Sequence, residues 1–322
     1  MTLLLSEQHV TELLDMPTAM SAVEEVLRHQ AEGAATNRPR QRVAMPASLL
    51  HVMAAGDKLL GVCGIKTYVS ARKGTRFLVL LYDSASGDLL TIIEADRLGQ
   101  MRTGAASGVA TKYMAREDAG SVGIFGTGWQ AESQLMAICH ARKIKSITAY
   151  GRDRQRRESF CRKMTAALRV EVTPAESPED AARDKAIIVT ATTAREPVLK
   201  GEWVSPGTHI NAAGSNFLSK IEADVETIRK ATVIAVDSID QARMESGDLL
   251  PAIERGVTTW ESVTELGRIV AGQVRGRTSP QDVTLFESHG IAIWDIAVAL
   301  RVYKLARERG LGDVIQVWNR TG

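Results

Sequence analysis

The sequence predicts an α/β protein, and three observations carry that prediction. From Ser121 onward strand-like and helix-like segments alternate, and the strands are almost continuously apolar, the pattern of a parallel sheet buried on both faces. The first of these strands, Val122-Gly123-Ile124-Phe125, runs into Gly126-Thr127-Gly128-Trp129-Gln130-Ala131, and a helix follows directly. Ahead of it lie two short helical stretches and then extended segments parted by turns, which read as an antiparallel sheet. The expectation is therefore a Rossmann-type parallel-sheet domain joined to an α+β domain.

Length and composition agree with this. At 322 residues the chain exceeds what one core usually fills, so two domains are expected. Its 44% hydrophobic and 24% charged residues match an ordinary globular protein, which argues against long disorder. The 40 basic and 38 acidic residues are mixed along the chain and leave a formal charge of +2, so no nucleic-acid partner is expected. Cys63, Cys139 and Cys161 are odd in number and lack CxxC spacing; they read as reduced cytosolic thiols, and no metal site is expected. Residues 1–15 carry no basic stretch ahead of an apolar one, and no segment approaches about 18 uncharged apolar residues. Neither export nor a membrane partner is expected, which leaves the cytoplasm as the compartment.

The elements follow in order. Ser6 can cap a short helix reaching Leu14, and Pro17 opens a second whose Met20, Val23, Val26 and Leu27 recur at helical spacing. The chain is thus expected to start with helices. Extended segments at 49–54, 59–69 and 77–82 are separated by Gly56, Gly61 and Gly74; residues 83–88 form a turn, and 89–94 return as a hairpin partner. Residues 95–116 are helical, with Gly104, Ala105, Ala106, Ser107, Gly108 and Ala110 almost free of bulk, so that other backbone or a ligand can come close. Strands are expected at 121–125, 147–150, 170–172, 186–190, 209–213, 232–237 and 284–287, with helices at 130–141, 153–168 and 179–183. A last helix, 292–309, has an apolar stripe of Ile296, Ala299, Leu300 and Tyr303 suited to packing back on the first domain.

A strand ending in Gly126-x-Gly128-x-x-Ala131 at a helix start lets backbone N–H groups meet a pyrophosphate, and the second strand stands about 20 residues on, as a dinucleotide site requires. NAD-binding folds usually end that second strand in an acidic residue that bonds the ribose. Here it ends Tyr150-Gly151-Arg152-Asp153-Arg154, and a guanidinium at Arg152 suits a 2′-phosphate. NADP(H) is favoured over NAD(H); the alternative is that Arg152 is a solvated residue at a helix start and Asp153 its N-cap.

Several ordered motifs extend the reading. Arg102-Thr-Gly-Ala-Ala-Ser-Gly-Val-Ala-Thr-Lys-Tyr, Gly126-Thr-Gly-Trp-Gln-Ala, His209-Ile-Asn-Ala-Ala-Gly-Ser, Glu245-Ser-Gly-Asp248 and Glu265-Leu-Gly together resemble the ornithine cyclodeaminase/mu-crystallin family over residues 35–300. The resemblance implies residues 1–116 plus 293–322 as a substrate-binding and dimerisation domain, residues 117–292 as the Rossmann domain, and a homodimer. It also implies chemistry on a small α-amino or α-imino acid.

Such chemistry needs a clamp for the carboxylate. Arg40, six residues before Pro46 and thirteen before Met53, matches the family's carboxylate arginine, whose fork can bind both oxygens. Lys66, in an apolar strand, matches the active-site lysine, where burial would lower its pKa; the alternative is an edge-strand lysine facing water. Arg102, taken to begin the small-residue helix, matches an arginine near substrate and cofactor; an N-terminal helix position is poor for a cation, which points to a bound anion, the alternative being a pair with Glu94 or Asp96. These three form the catalytic set, and Met53, Asn216 and Glu245 complete the substrate set. The implied cofactor set is Thr75, Arg102, Thr103, Gly126, Thr127, Gly128, Trp129, Gln130, Gly151, Arg152, Thr192, Ala213, Ser288 and His289, the last with a pKa suited to a proton relay.

Asn216 departs from the family. Deaminating and alanine-dehydrogenase members carry an aspartate in Gly-x-Asp, where this chain reads Gly214-Ser215-Asn216, and an amide cannot exchange a proton at neutral pH. Reduction of an α-imino acid, such as Δ1-pyrroline-2-carboxylate or Δ1-piperideine-2-carboxylate, to the L-amino acid is therefore expected ahead of cyclodeamination, amino-acid dehydrogenation or non-catalytic binding.

Overall fold

The chain opens with a strand, β1 (Thr2–Leu5), where helices were expected; its four residues are too few for a helix but long enough to zip into a sheet. Ser6 then caps α1 (Glu7–Leu13), and Asp15 caps α2 (Met16–Ala31) with Pro17 in its first turn. The strands β2 (Ala35–Asn37), β3 (Gln41–Met45), β4 (Ser48–Asp57), β5 (Val62–Ala71), β6 (Gly74–Asp83) and β7 (Leu89–Glu94) follow, β4 to β7 running as an antiparallel meander. Gly61 and Gly74 turn the chain with positive φ, whereas Gly56 lies inside β4 and separates nothing. The helix α3 (Asp96–Met114) comes next.

The alternating part is β8 (Ser121–Phe125), α4 (Trp129–Ala141), β9 (Ser146–Tyr150), α5 (Arg154–Leu168), β10 (Val172–Pro174), β11 (Ile187–Thr190), β12 (His209–Ala212), α6 (Val225–Lys230), β13 (Val233–Val236), α7 (Ile239–Glu245), α8 (Leu249–Glu254), β14 (Val263–Glu265), α9 (Leu266–Val270) and β15 (Thr284–Glu287). Its strands form one parallel sheet in the order β10-β9-β8-β11-β12-β15-β13-β14. Ile187 and Ile188, successive residues of β11, feed opposite cores, one with Val122, Ile124, Leu135 and Ile138, the other with Phe125, Ile210 and Leu285. Both faces are therefore buried, which is why the strands lack a polar alternation. Residues 179–183 make turns with i to i+3 bonds and a single i to i+4 bond, from Arg183 N to Glu179 O, instead of the expected helix: Ser177 and Asp180 cap the turn, but Asp184 takes a positive φ of 59° and ends it at once. β10 starts two residues later than expected.

The chain then returns as α10 (Ala292–Arg309) and β16 (Asp313–Ile315). β16 closes the first sheet, whose order is β16-β1-β7-β6-β5-β4-β2 with β3 also on β4; β1 and β7 run parallel, so this sheet is mixed. α10 packs on α2 and across β4 and β5. The computed structural model describes residues 1–318, so the end of the expected 293–322 return lies outside the described residues. Contacts divide the chain into Met1–Arg102 with the segment from Ile291 on, and Thr103–Gly290. This division falls inside α3, whereas the expected 116/117 boundary follows the helix end. Among the described residues no helix is long and apolar enough to cross a membrane.

Candidate active site

In the first unit, the register of β4 and β5 sets Met53 opposite Lys66, both on the face covered by α10. Arg40 reaches this face through a bulge. Asn37 pairs with Ala55 and Gln41 with Val52, so three residues, Arg38 to Arg40, oppose two on β4. Three positions apart on a regular strand, Asn37 and Arg40 would point to opposite faces; the extra residue turns both inward. Asn37 accepts from Ile293 N at 3.2 Å, and Arg40, 3% exposed, lies with its Nε 3.3 Å from Met53 Sδ.

Lys66 is 2% exposed on a central strand, which excludes the edge-strand alternative. Its Nζ donates to Asp295 Oδ1 at 2.7 Å, and the same oxygen accepts from Arg102 Nε at 3.1 Å. Burial and the Arg102 guanidinium together lower the Lys66 ammonium to about 8 against the opposing pull of Asp295. Arg102 is the structure's correction to the helix-start argument: α3 begins at Asp96, capped by Glu7 through the N–H groups of Asp96 and Arg97, and Arg102 sits in the second turn. The anion beside it is Asp295, not Glu94 or Asp96. Next along the sheet, His51 stacks on Tyr68 at 4.1 Å; burial and the cations Arg42 and Arg40 push its pKa down to about 4, so it stays neutral. Thr75 stands apart from this cluster, at the β5–β6 hairpin, its hydroxyl 3.3 Å from that of Ser70.

In the second unit, Gly126, Thr127, Gly128, Trp129, Gln130, Gly151 and Arg152 gather at the carboxyl ends of β8 and β9. Gly126 has φ +106°, and a Cβ there would lie 2.3 Å from Ala191 O, so only glycine fits between β8 and β11. Gly128 is the N-cap of α4 and offers no side-chain cap, while a Cβ on it would meet nothing within 4 Å. An uncapped helix start with open space over its glycine fits a pyrophosphate. The carboxyl end of β11, next to β8, supplies Thr192, and that of β12 supplies Ala213, the strand order reversing at β8 as a dinucleotide crevice requires. Thr103 lies in α3, its carbonyl 3.4 Å from Gln134 Nε2.

Buried carboxylates, which the sequence reading missed, hold these loops. Glu222 accepts from Thr192 N at 2.6 Å, Thr190 Oγ1 at 2.9 Å and Gly214 N at 2.8 Å. Asp237 accepts from the N–H groups of His289 and Gly290 at 2.8 and 2.6 Å. His289 is held against Glu287 and Asp237; burial alone would lower it, but the two carboxylates push it up to about 10, which removes it as a proton relay near neutrality. Ser288 Oγ donates to Asp237 at 3.4 Å, and Glu245 is buried at the end of α7. Asn216 Oδ1 accepts from Lys220 Nζ at 3.4 Å.

The family model for ornithine cyclodeaminase and mu-crystallin matches residues 1–310. The chain belongs to the ornithine cyclodeaminase/mu-crystallin family. Within reach of this family member stands the alanine dehydrogenase of Archaeoglobus fulgidus, 36% identical over 98% of each chain. Among solved structures, the Δ1-pyrroline-2-carboxylate reductase of Thermococcus litoralis, in complex with NADH and L-proline, matches with TM-score 0.93 at 34% identity, covering 98% of this chain and 100% of that one. An archaeal alanine dehydrogenase dimer with bound NAD gives 0.91 at 34% identity over 98% and 99%. This ornithine cyclodeaminase/mu-crystallin protein is an NAD(P)-dependent oxidoreductase acting on CH–NH or C=N bonds.

Proposed function

We propose that the protein reduces small α-imino acids, cyclic ketimines such as Δ1-pyrroline-2-carboxylate or Δ1-piperideine-2-carboxylate, to L-amino acids. The observation that carries this reading is the buried trio of Arg40, Lys66 and Arg102, which together with Asp295 leaves a net positive cluster fit for one small carboxylate. Arg40 and Arg102 would bind the carboxylate, and Lys66 would hold a proton at Nζ that exchanges near pH 8. When bound, the dinucleotide supplies the hydride. The substrate set is completed by Met53, Asn216 and Glu245, and the cofactor set by Thr75, Thr103, the Gly126–Gln130 loop, Gly151, Arg152, Thr192, Ala213, Ser288 and His289.

The amide of Asn216 takes no proton at neutral pH, so hydride delivery to a preformed iminium suits this chain better than deamination, which needs a further acid–base partner. NADPH is the cofactor this reading prefers, on the strength of Arg152. A second reading, amino-acid dehydrogenation, draws support from the 36% identity to an alanine dehydrogenase. The protein is further proposed to act as a homodimer, as that solved alanine dehydrogenase does, with the first unit as the substrate and dimerisation part and the second as the dinucleotide part.

The deciding experiment follows oxidation of NADPH and NADH in parallel with the two cyclic imines and with pyruvate plus ammonia. Ammonia-independent turnover of a cyclic imine is expected. Turnover confined to pyruvate plus ammonia would establish the dehydrogenase instead.

A further inference from the structure

Lys66 and Arg102 are held by a side chain that none of the sequence motifs contains. Asp295 lies in the first turn of α10, wholly buried, where the helix dipole favours a carboxylate. The start of that helix is fixed by Asn37, which takes the Ile293 N–H, and the neighbouring Trp294 ring lies 5.9 Å from the Arg102 guanidinium. Of the Asp295 oxygens, Oδ1 serves both cations, whereas Oδ2 has no hydrogen-bond partner among the described residues; nor has the buried Nη1 of Arg102.

We propose that Asp295 is the positioning residue of the carboxylate clamp: by sharing one oxygen between Lys66 and Arg102 it fixes both cations in one arrangement and leaves Arg102 Nη1 to meet the substrate. The assignment rests on the reductase reading only in taking a small carboxylate as the clamp's ligand. Two cations on one carboxylate also spare each the full cost of burial beside a like charge.

The charged groups acting on Lys66 are Asp295 from α10, Arg102 from α3 and Arg40 from the bulge; the Phe77 ring of β6 lies 5.1 Å from its Nζ. Asp295 is the member of this set that raises the lysine pKa. The clamp needs the ammonium form, which exists below that pKa. Carboxylate affinity should therefore fall as pH rises through about 8 in the natural protein, and at lower pH once the Asp295 charge is removed.

The test is calorimetric binding of pyrrole-2-carboxylate, a planar carboxylate, to the full chain with NADPH present, from acid to alkaline pH. Asp295→Asn is expected to weaken binding at neutral pH by roughly tenfold, the size of one charge-assisted hydrogen bond, and to move the alkaline loss of affinity down by about one pH unit, with NADPH affinity unchanged. Binding and pH dependence equal to the natural protein's would overturn the assignment, as would a natural protein that fails to bind the probe at every pH. If Asp295→Asn does not fold, Asp295→Glu reads the same point: its displaced carboxylate should weaken the probe while keeping the alkaline loss near its natural pH, and unchanged affinity would refute the role. A natural protein that binds the probe yet reduces no imino acid ends the reductase reading and leaves this assignment standing.

Discussion

At the end of β9 a single side chain bears on which dinucleotide the protein prefers. The carboxylate next in sequence, Asp153, is engaged as the N-cap of α5, accepting from Arg156 N at 3.0 Å. Arg154 is paired with Glu158 at 2.9 Å and Arg156 with Asp153 at 3.6 Å, while Arg157 turns in to hold Gly151 O at 2.8 Å. Arg152 remains exposed, with no ion pair among the described residues. Arg152→Ala should raise the KM for NADPH roughly tenfold and leave that for NADH within about twofold, since an exposed guanidinium contributes less than a buried one. Steady-state kinetics with both cofactors checks this; an equal loss for both would remove the 2′-phosphate role. Residues of this kind were legible because they stand next to a strand end and a glycine that the sequence displays. Asp295 was not, because it lies 229 positions from Lys66 in a helix of apolar neighbours and has no local signature. Arg102 was legible as a residue but misplaced in its helix, since the cap of α3 comes from Glu7, 89 positions before Asp96.

Among the elements, the small-residue stretch of α3 finds its explanation in α4. A Cβ on Gly104 would fall 2.3 Å from Ser133 O, so the two helices approach backbone to backbone there. The first turn of α4 is the one that the dinucleotide loop feeds. Gly104→Ala is therefore expected to destabilise the protein by about 1–3 kcal/mol through overpacking and to weaken NADPH binding, because α4 cannot yield without shifting Gly128. Thermal unfolding and a fluorescence titration with NADPH measure the two effects; a variant unchanged in both would mean that the helices have room to part. The strand–loop–helix–strand core from β8 to β9 was readable because apolar runs, two glycines and a helix period coincide. Short pieces such as β1 and β14 were not, because three or four residues carry no period, and their strand character comes from partners remote in sequence.

For the whole molecule, the division of the chain inside α3 was hidden because an unbroken helix gives the sequence no punctuation, whereas the return through α10 was visible as a wide apolar stripe. What that stripe covers is one face of the first sheet; the other face carries apolar rows as well, bordered by Gln41, Arg76 and Glu94. The register aligns Val52, Thr67 and Leu78 in one row and Ala54, Ile65, Leu80 and Ile92 in the next, and Val69 and Leu78 are 43% and 39% exposed. A groove of about 390 Å³ runs over Ala54, Cys63, Ile65 and Tyr82. As the subunit contact of the proposed homodimer, this face would meet a second copy presenting the same rows across a two-fold axis. Replacing Val69 and Leu78 together by glutamate sets two buried charges against their own images across such a contact. Sedimentation equilibrium should find the natural protein at twice the monomer mass and the double variant at the monomer mass. A variant that still sediments as a dimer would place the subunit contact on another face.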